Sequence, residues 1–155
     1  MRIGIDMMGG DYAPGSVIRG AILARESLPV DVEIVLMGNQ DILSRYAEEH
    51  QLDVSGLSIE HTLDDVGMED HPLKAFKEKP KAGLFLGQRL LAAGDLDGFC
   101  SAGNTGAMMV GAMQIINSIP GMEVIICIAP TIIAPVFPAL QNPSRAPLAN
   151  KRWPR

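Results

Sequence analysis

The sequence predicts an α/β protein built on a doubly wound parallel sheet. Short apolar runs rich in β-branched residues alternate with segments of helical periodicity. Polar, glycine-rich turns follow two of these runs, at 6–14 and 101–107. The 155 residues are 47% hydrophobic and 20% charged, which is enough apolar material for one core. Strands that alternate with helices favour parallel pairing through crossover connections.

The N-terminal half supplies three strands and two helices. The predicted strands are Arg2–Ile5, the β-branched run Val32–Met37, and Leu57–His61, in which apolar and polar residues alternate. Apolar residues recur at helical spacing within Pro14–Ser27 and again from Ile42 to Ala47. Asn39 is placed to cap the second helix, and Asp41 suits its first turn.

The second half continues the pattern with a pair of helices before the next strand. The predicted elements are a short basic helix Pro72–Lys79, a helix Gly83–Ala93 with Gly94 as its C-cap, strand Gly98–Ser101, helix Thr105–Ile116 and strand Val124–Ile128. The helix at 105–116 is apolar on nearly all sides, so we expect it to be buried.

Composition divides the chain into an α/β domain at 1–128 and a tail at 129–155. Residues 124–155 contain no Asp or Glu and carry four basic residues, and six of the 11 prolines fall among them. Proline at this density interrupts helices and inner strands, so the tail is predicted to be irregular. The alternative is a basic tail that docks on a partner.

Several function classes are disfavoured. The net charge of −5 argues against binding nucleic acid through a basic surface. Cys100 and Cys127 lie in apolar runs and are expected to be core residues in a reducing compartment. The sequence shows neither a zinc pattern, nor the spaced glycines of a nicotinamide site, nor the nucleophile elbow of serine hydrolases. We therefore predict no metal and no cofactor. No signal peptide or long apolar run is visible, which predicts a cytoplasmic protein.

The turn at 101–107, Ser-Ala-Gly-Asn-Thr-Gly-Ala, is the strongest candidate site. Gly103 and Gly106 let a ligand approach the backbone, and Ser101, Asn104 and Thr105 offer side-chain hydrogen bonds. The start of the following helix adds free N–H groups and partial positive charge, a combination that binds anions and most often phosphate. The partners of Asn104 are either the turn itself or a ligand, and we favour the ligand.

Two other segments are candidates for binding. In the turn at 6–14, Gly9, Gly10 and Asp11 fit either a backbone cradle, with Asp6 or Asp11 positioning neighbours, or a plain strand-to-helix turn. In the charged segment at 69–79, Lys74 and Lys77 lie three residues apart and are candidates to contact a phosphate or an acidic partner. His71 is a candidate acid–base residue, although a single unpaired histidine is more often structural.

These three motifs occur in the order found in one family. Asp6-Met-Met-Gly-Gly-Asp-Tyr-Ala-Pro14, His71-Pro-Leu-Lys-Ala-Phe-Lys-Glu-Lys79 and Ser101-Ala-Gly-Asn-Thr-Gly-Ala107 resemble the bacterial acyl carrier protein:phosphate acyltransferases, the PlsX family. The resemblance runs from Met1 to about Gly121. It implies a fold similar to that of isocitrate and isopropylmalate dehydrogenases.

The resemblance implies acyl transfer from acyl carrier protein to inorganic phosphate, giving an acyl phosphate for phospholipid synthesis. It also implies a homodimer and, in some members, peripheral association with the membrane. On this hypothesis Asn104 and Lys74 are catalytic. The phosphate or acyl phosphate contacts Gly9, Gly10, Asp11, Lys77 and the loop residues Ser101, Gly103, Asn104, Thr105 and Gly106, and the lysines meet phosphate or the acidic carrier.

The chain also departs from the family pattern. Ala82 and Gly83 replace a serine pair that family members usually carry, and members are considerably longer. The change of composition after Gly121 predicts a truncated or frame-shifted product. The competing hypotheses are therefore a non-catalytic fragment that binds phosphate or acyl phosphate, and a module that docks on acyl carrier protein.

Overall fold

A computed structural model describes residues 1–117, which form a four-stranded, all-parallel sheet. The strands are β1 (Arg2–Asp6), β2 (Glu33–Gly38), β3 (Leu57–His61) and β4 (Gly98–Cys100). Their spatial order is β3-β2-β1-β4, so β1 is central and pairs with both β2 and β4. The predicted α/β class and parallel sheet are confirmed.

Within residues 1–117, five helices connect or follow the strands. They are α1 (Gly15–Ser27), α2 (Gln40–His50), α3 (Pro72–Glu78), α4 (Gly83–Ala93) and α5 (Thr105–Ile115). The predicted elements within 1–117 agree closely with these bounds. Asn39 caps α2 as expected, accepting hydrogen bonds from the N–H groups of Asp41 and Ile42, and Gly94 ends α4 in the left-handed conformation. The predicted strand Val124–Ile128 and the predicted tail lie outside the described residues.

Helices cover both faces of the sheet, and β2 shows how. Successive side chains of a strand point to opposite faces. Ile34 and Leu36 pack on the side of α1 and α2, with Ile18 and Leu43. Val35 and Met37 pack on the side of α4 and α5, with residues that include Phe85, Phe99 and Met108. The result is three layers, with a core on each face of the sheet.

Helix α5 is less buried than its composition predicts. Ala107, Met108 and Gly111 are buried, whereas the side chains of Met109 and Met113 are 38% and 55% exposed. Within residues 1–117, α5 packs mainly on α3 and α4, which cover only one side of it. In this part of the chain, the expectation of a buried helix therefore holds for only one side of α5.

The order of the strands fixes where a ligand belongs. From β1 the chain moves outward through β2 to β3, and then returns to place β4 on the other side of β1. The helices that follow β1 and β4, α1 and α5, pack on opposite faces of the sheet, so a crevice is expected at the carboxyl ends of these two neighbouring strands. Open α/β sheets bind their ligands in such a crevice.

Candidate functional site

The two glycine-rich turns meet at this crevice. Because β1 and β4 are neighbours, the loop after Asp6 lies against the loop after Cys100. A Cβ atom added at Gly10 would lie 2.9 Å from the Cβ of Ala102, and Gly10 has a φ of +94°. Only glycine satisfies both the close approach and this backbone conformation without strain. The sequence placed each loop at a strand end, and the structure brings them into contact.

A carboxyl–hydroxyl pair joins the two loops beneath the glycines. The Ser101 hydroxyl donates to Asp6 Oδ2 at 2.8 Å, and Ser101 Oγ accepts from the N–H of Gly103 at 3.2 Å. Asp6 Oδ1 accepts from the N–H of Met8 at 3.2 Å. A Cβ at Gly9 would lie 2.8 Å from Ser101 Oγ and 2.9 Å from Asp6 Oδ2, so glycine is needed to cover the pair.

The Asp6 carboxyl is only 3% exposed. Burial raises its pKa to about 6, because the charged form loses its hydration, and the nearby charge of Asp65 adds to the rise. The hydrogen bonds from Ser101 and Met8 oppose this effect but do not cancel it. Asp6 therefore changes its charge within the pH range in which enzymes work.

A third loop, between β3 and α3, is tied to the same place by Asn104. The Asn104 amide donates to the carbonyl oxygens of Gly67, Met68 and Asp70, at 3.2, 3.1 and 2.9 Å. Its oxygen accepts from the N–H of Ala107 at 3.1 Å and thereby caps α5. These contacts join the Asn104 side chain to backbone groups, three of them on the loop between β3 and α3 and one in its own turn. Contact of Asn104 with a ligand stays a prediction.

The same loop is held from its other side by an ion pair. Lys79 Nζ lies 2.7 Å from Asp70 Oδ2, which also accepts from the N–H of Gly67 at 2.9 Å. This pairing lowers the pKa of Asp70 and raises that of Lys79. The loop from Gly67 to Asp70 is thus fixed by α5 on one side and by the end of α3 on the other.

The first turn of α5 offers backbone donors at the crevice. Within residues 1–117, the N–H groups of Thr105 and Gly106 have no acceptor, as is usual at a helix start. The Thr105 side chain is exposed. A Cβ at Gly106 would lie 2.5 Å from Pro72 Cγ, so this glycine lets α3 approach the start of α5 closely.

The predicted lysines lie at a separate surface. Lys74 and Lys77 line an open cavity of about 290 Å³ with His71, Leu73 and Glu78, and no residue of the two glycine-rich turns lines it. Lys74 is exposed and makes a long ion pair of 3.9 Å with Glu78. Both lysines and His71 face solvent, and Asp11 is also exposed.

The remaining groups add little chemistry of their own. Burial raises the pKa of the Cys100 thiol, which keeps it protonated at neutral pH and a poor nucleophile. Within residues 1–117, no group of three or more His, Cys, Asp or Glu side chains is arranged to hold a metal ion. In the same part of the chain, no helix is long and apolar enough to cross a membrane.

Sequence reasoning gave Asp6 too little weight. It named Asp6 only as an alternative to Asp11, whereas the structure buries Asp6 against Ser101 and leaves Asp11 in solvent. The available signal was a carboxylate at the last position of the central strand, directly after the apolar residues 3–5 and shortly before a glycine turn. Such a residue points at the crevice when the strand lies at the switch point.

The sequence of this chain matches a known protein family. The family model described as "Fatty acid synthesis protein" matches residues 1–141. The chain belongs to this family. The match extends past Gly121, where the resemblance of the motifs ends, into the segment predicted to be a tail.

Curated members of the family carry the name phosphate acyltransferase. The chain is 37% identical over 142 residues to the protein of Thermoanaerobacterium thermosaccharolyticum, covering 92% of this chain and 39% of that one. It is 40% identical over 122 residues to the protein of Thermosynechococcus vestitus, covering 79% and 35%. The chain thus spans little more than a third of the length of these relatives.

Proposed function

We propose that the crevice between β1 and β4 binds inorganic phosphate, as part of an enzyme that transfers a fatty acyl group from acyl carrier protein to phosphate. The observation that carries this proposal is the contact of the two glycine-rich turns at the switch point of the sheet, with Gly10 against Ala102. The membership in a fatty acid synthesis family and the name of the relatives, phosphate acyltransferase, support it.

The reaction needs little from the protein beyond position and charge stabilisation. A phosphate oxygen attacks the carbonyl carbon of the thioester, and a carbon–oxygen bond forms. The carbon–sulfur bond then breaks, the acyl phosphate is released, and the carrier thiolate takes up a proton. Holding phosphate in line with the carbonyl, and stabilising the oxyanion that develops, account for most of such a rate enhancement.

Within this scheme the backbone does most of the binding. The N–H groups of Thr105 and Gly106 are directed out of the α5 N-terminus and are suited to an anion, with the helix dipole in support. Gly9 and Gly10 let the two loops pack closely against each other, and Gly103 lets Met68 of the third loop approach. Asn104 positions the loops, because its side chain bonds to backbone groups of two of them.

Lys74 and Lys77 are better placed to meet the carrier than the phosphate. They are exposed and line a cavity that the glycine loops do not reach. Exposed lysines attract an acidic partner over a distance and speed its association. Dimer formation, peripheral membrane association and a cytoplasmic location, all expected from the sequence, stay predictions.

We also propose a second candidate function, which is binding without turnover. The chain matches 39% or less of each of the relatives named above, so the complete reaction is proposed for a protein of their length. On the alternative, the 155-residue chain binds phosphate or acyl carrier protein without turnover. Trapping acyl phosphate with hydroxylamine, in the presence of acyl carrier protein and phosphate, distinguishes turnover from binding alone.

Phosphate binding is tested by the rise in melting temperature that a ligand of the folded state produces. We expect inorganic phosphate to stabilise the wild-type chain and the variant Lys74→Glu/Lys77→Glu equally, since these lysines lie outside the crevice. We expect Gly10→Val to abolish the effect, because its side chain would collide with Ala102. The matched control is Gly20→Val, at an exposed position of α1 with nothing within 4 Å.

The opposite pattern contradicts the proposal. If the double lysine variant loses the phosphate effect while Gly10→Val retains it, phosphate binds at the α3 cavity and not between the loops.

A further inference from the structure

The Ser101 hydroxyl is shared between a buried acid and the crevice. Asp6 is 3% exposed and covered by Gly9, so it has no room to contact a ligand directly. Ser101 is half-buried and lies between Asp6 and the Gly103 backbone. A hydrogen-bonded link between Asp6 and a ligand in the crevice must therefore pass through Ser101.

The direction of the hydrogen bond depends on the charge of Asp6. When Asp6 is ionised, the single Ser101 proton is held by the carboxylate at 2.8 Å, since a charged acceptor is stronger than the Gly103 carbonyl oxygen at 3.1 Å. Ser101 Oγ then presents only acceptor capacity, which suits an anion poorly. When Asp6 is protonated, its O–H donates to Ser101 Oγ, and the Ser101 proton becomes available to an anion.

We propose that Asp6 is a positioning residue that acts as a proton switch, making Ser101 a hydrogen-bond donor to a bound anion only when the carboxyl is protonated. The inference rests on the proposed phosphate site. Binding of an anion then takes up a proton from solvent, which remains on Asp6 until the anion leaves. The pKa of Asp6, about 6 in the absence of ligand, places this switch near the physiological range.

The surroundings of Asp6 favour this behaviour. The charged group that acts on it from a neighbouring element is Asp65, on the loop between β3 and α3, and like charge disfavours ionisation. The contacts from the β4–α5 loop and from its own loop are the uncharged Ser101 hydroxyl and Met8 amide. Asp11, on the same loop, is exposed. An anion in the crevice adds negative charge and raises the pKa of Asp6 further.

The test uses sulfate, whose own protonation does not change between pH 5 and pH 8, with the full 155-residue chain. We expect the wild-type affinity for sulfate to rise by about tenfold from pH 8 to pH 5, the value of one hydrogen bond to a charged group. Asp6→Asn keeps the shape and donates an amide N–H to Ser101 at every pH. At every pH, this variant should bind sulfate with about the affinity that the wild type has at pH 5.

Two further variants separate the switch from other effects. Ser101→Ala removes the hydroxyl and should bind weakly at both pH values. His71→Gln should keep the wild-type pH dependence, because His71 lies at the α3 cavity. The inference is overturned if Asp6→Asn retains the wild-type slope, or if it binds sulfate as weakly as the wild type does at pH 8.

A measurement on the unmodified chain makes the test independent of the folding of variants. Calorimetric titration with sulfate at pH 7, repeated in buffers of different ionisation enthalpy, reports the protons taken up on binding. We expect the chain to take up, for each sulfate bound, less than one proton but clearly more than none. Sulfate binding without proton uptake overturns the switch and leaves the phosphate site intact. No binding of sulfate or inorganic phosphate at any pH overturns both.

Discussion

Two asparagines begin helices at the carboxyl edge of the sheet, and they differ in what else they hold. Asn39 caps α2 by accepting from the N–H groups of Asp41 and Ile42, at 2.8 and 3.4 Å. Asn104 caps α5 by accepting from the N–H of Ala107, and its amide also donates to three carbonyl oxygens of the loop between β3 and α3.

The difference separates a local role from a tertiary one. The cap at Asn39 involves neighbours in sequence, whereas Asn104 joins residues more than 30 positions apart. The Asn104 side chain therefore fixes the start of α5 to a second loop, whereas the start of α2 is joined to β3 by the N–H of Gln40, which donates to His61 Nδ1 at 3.2 Å. A helix N-terminus becomes a candidate binding site here because the fold organises loops around it.

Replacing each asparagine by aspartate should give the largest difference in stability between the two positions. Aspartate caps helices as well as asparagine does, so Asn39→Asp should leave stability nearly unchanged. Asn104→Asp leaves three carbonyl oxygens without their donor and sets a carboxylate among them. We expect the free energy of unfolding to fall by about 4 kcal/mol. Urea unfolding of both variants measures this, and equal effects at the two positions would contradict the tertiary role of Asn104.

Asp6→Asn should have the next largest effect, and one that depends on pH. Because the folded-state pKa of Asp6 is raised from 3.8 to about 6, the folded chain binds the proton more tightly than the unfolded chain does. The free energy of unfolding therefore falls as pH rises from 4 to 6. The Asp6→Asn variant lacks the ionisable carboxyl, so its stability should not fall in this way. At pH 8 the variant should be more stable than the wild type by on the order of 3 kcal/mol, and at pH 4 the two should be equally stable.

Thermal and urea unfolding at pH 4 and pH 8 check that prediction. A variant that is less stable than the wild type at pH 8 would mean that the ionised carboxylate supports the fold.

The ion pair that also holds the loop at 67–70 should contribute less to the stability of the fold. Lys79→Met removes the ion pair with Asp70, which is partly exposed, so we expect a loss of about 1 kcal/mol. Lys81→Met is the matched control, because Lys81 is exposed and has no ion pair among the described residues. Urea unfolding at low and at high salt measures both. A loss that salt does not reduce would mean that packing, and not charge, holds the loop.

The smallest expected effect is a gain in stability at the start of a third helix. Ala82 is the N-cap residue of α4, with φ −59° and ψ 147°, and its side chain makes no capping hydrogen bond. Ala82→Ser supplies a hydroxyl in a conformation that suits a cap, so we expect about 1 kcal/mol of added stability. A rise in melting temperature checks this, and Ala92→Ser, at an exposed position near the end of the same helix, is the control. A decrease at residue 82 would mean that this buried position has no room for the hydroxyl.

The fold could largely be predicted from the sequence, because its signals are local. The apolar run at 32–37, the cap at Asn39 and the closing glycine at 94 each appear within a few residues of the element that they define. The exposed side of α5 could not be predicted in this way. Its composition is apolar on nearly all sides, and which side is covered depends on where α3 and α4 lie.

The candidate site could be predicted only in part, for the same reason. The glycine turns are visible as sequence, but their contact depends on β4 returning to the side of β1. Two of the carbonyl groups that accept from Asn104, those of Gly67 and Met68, lie just before the charged segment at 69–79, where the sequence shows no recognisable motif. Asp6 becomes important because Gly9 and Ser101 exclude water from it, and this burial is a property of the folded chain.

The most direct test of the phosphate crevice is an NMR titration of the ¹⁵N-labelled chain with inorganic phosphate. We predict saturable shifts of the amide resonances of Gly10, Thr105 and Gly106. The amide resonances of Asp41 and Ile42, at the start of α2, should not shift, because these two N–H groups already donate to the Asn39 side chain. Shifts confined to Lys74 and Lys77, or equal shifts at the starts of α2 and α5, would contradict the assignment of the site to the crevice.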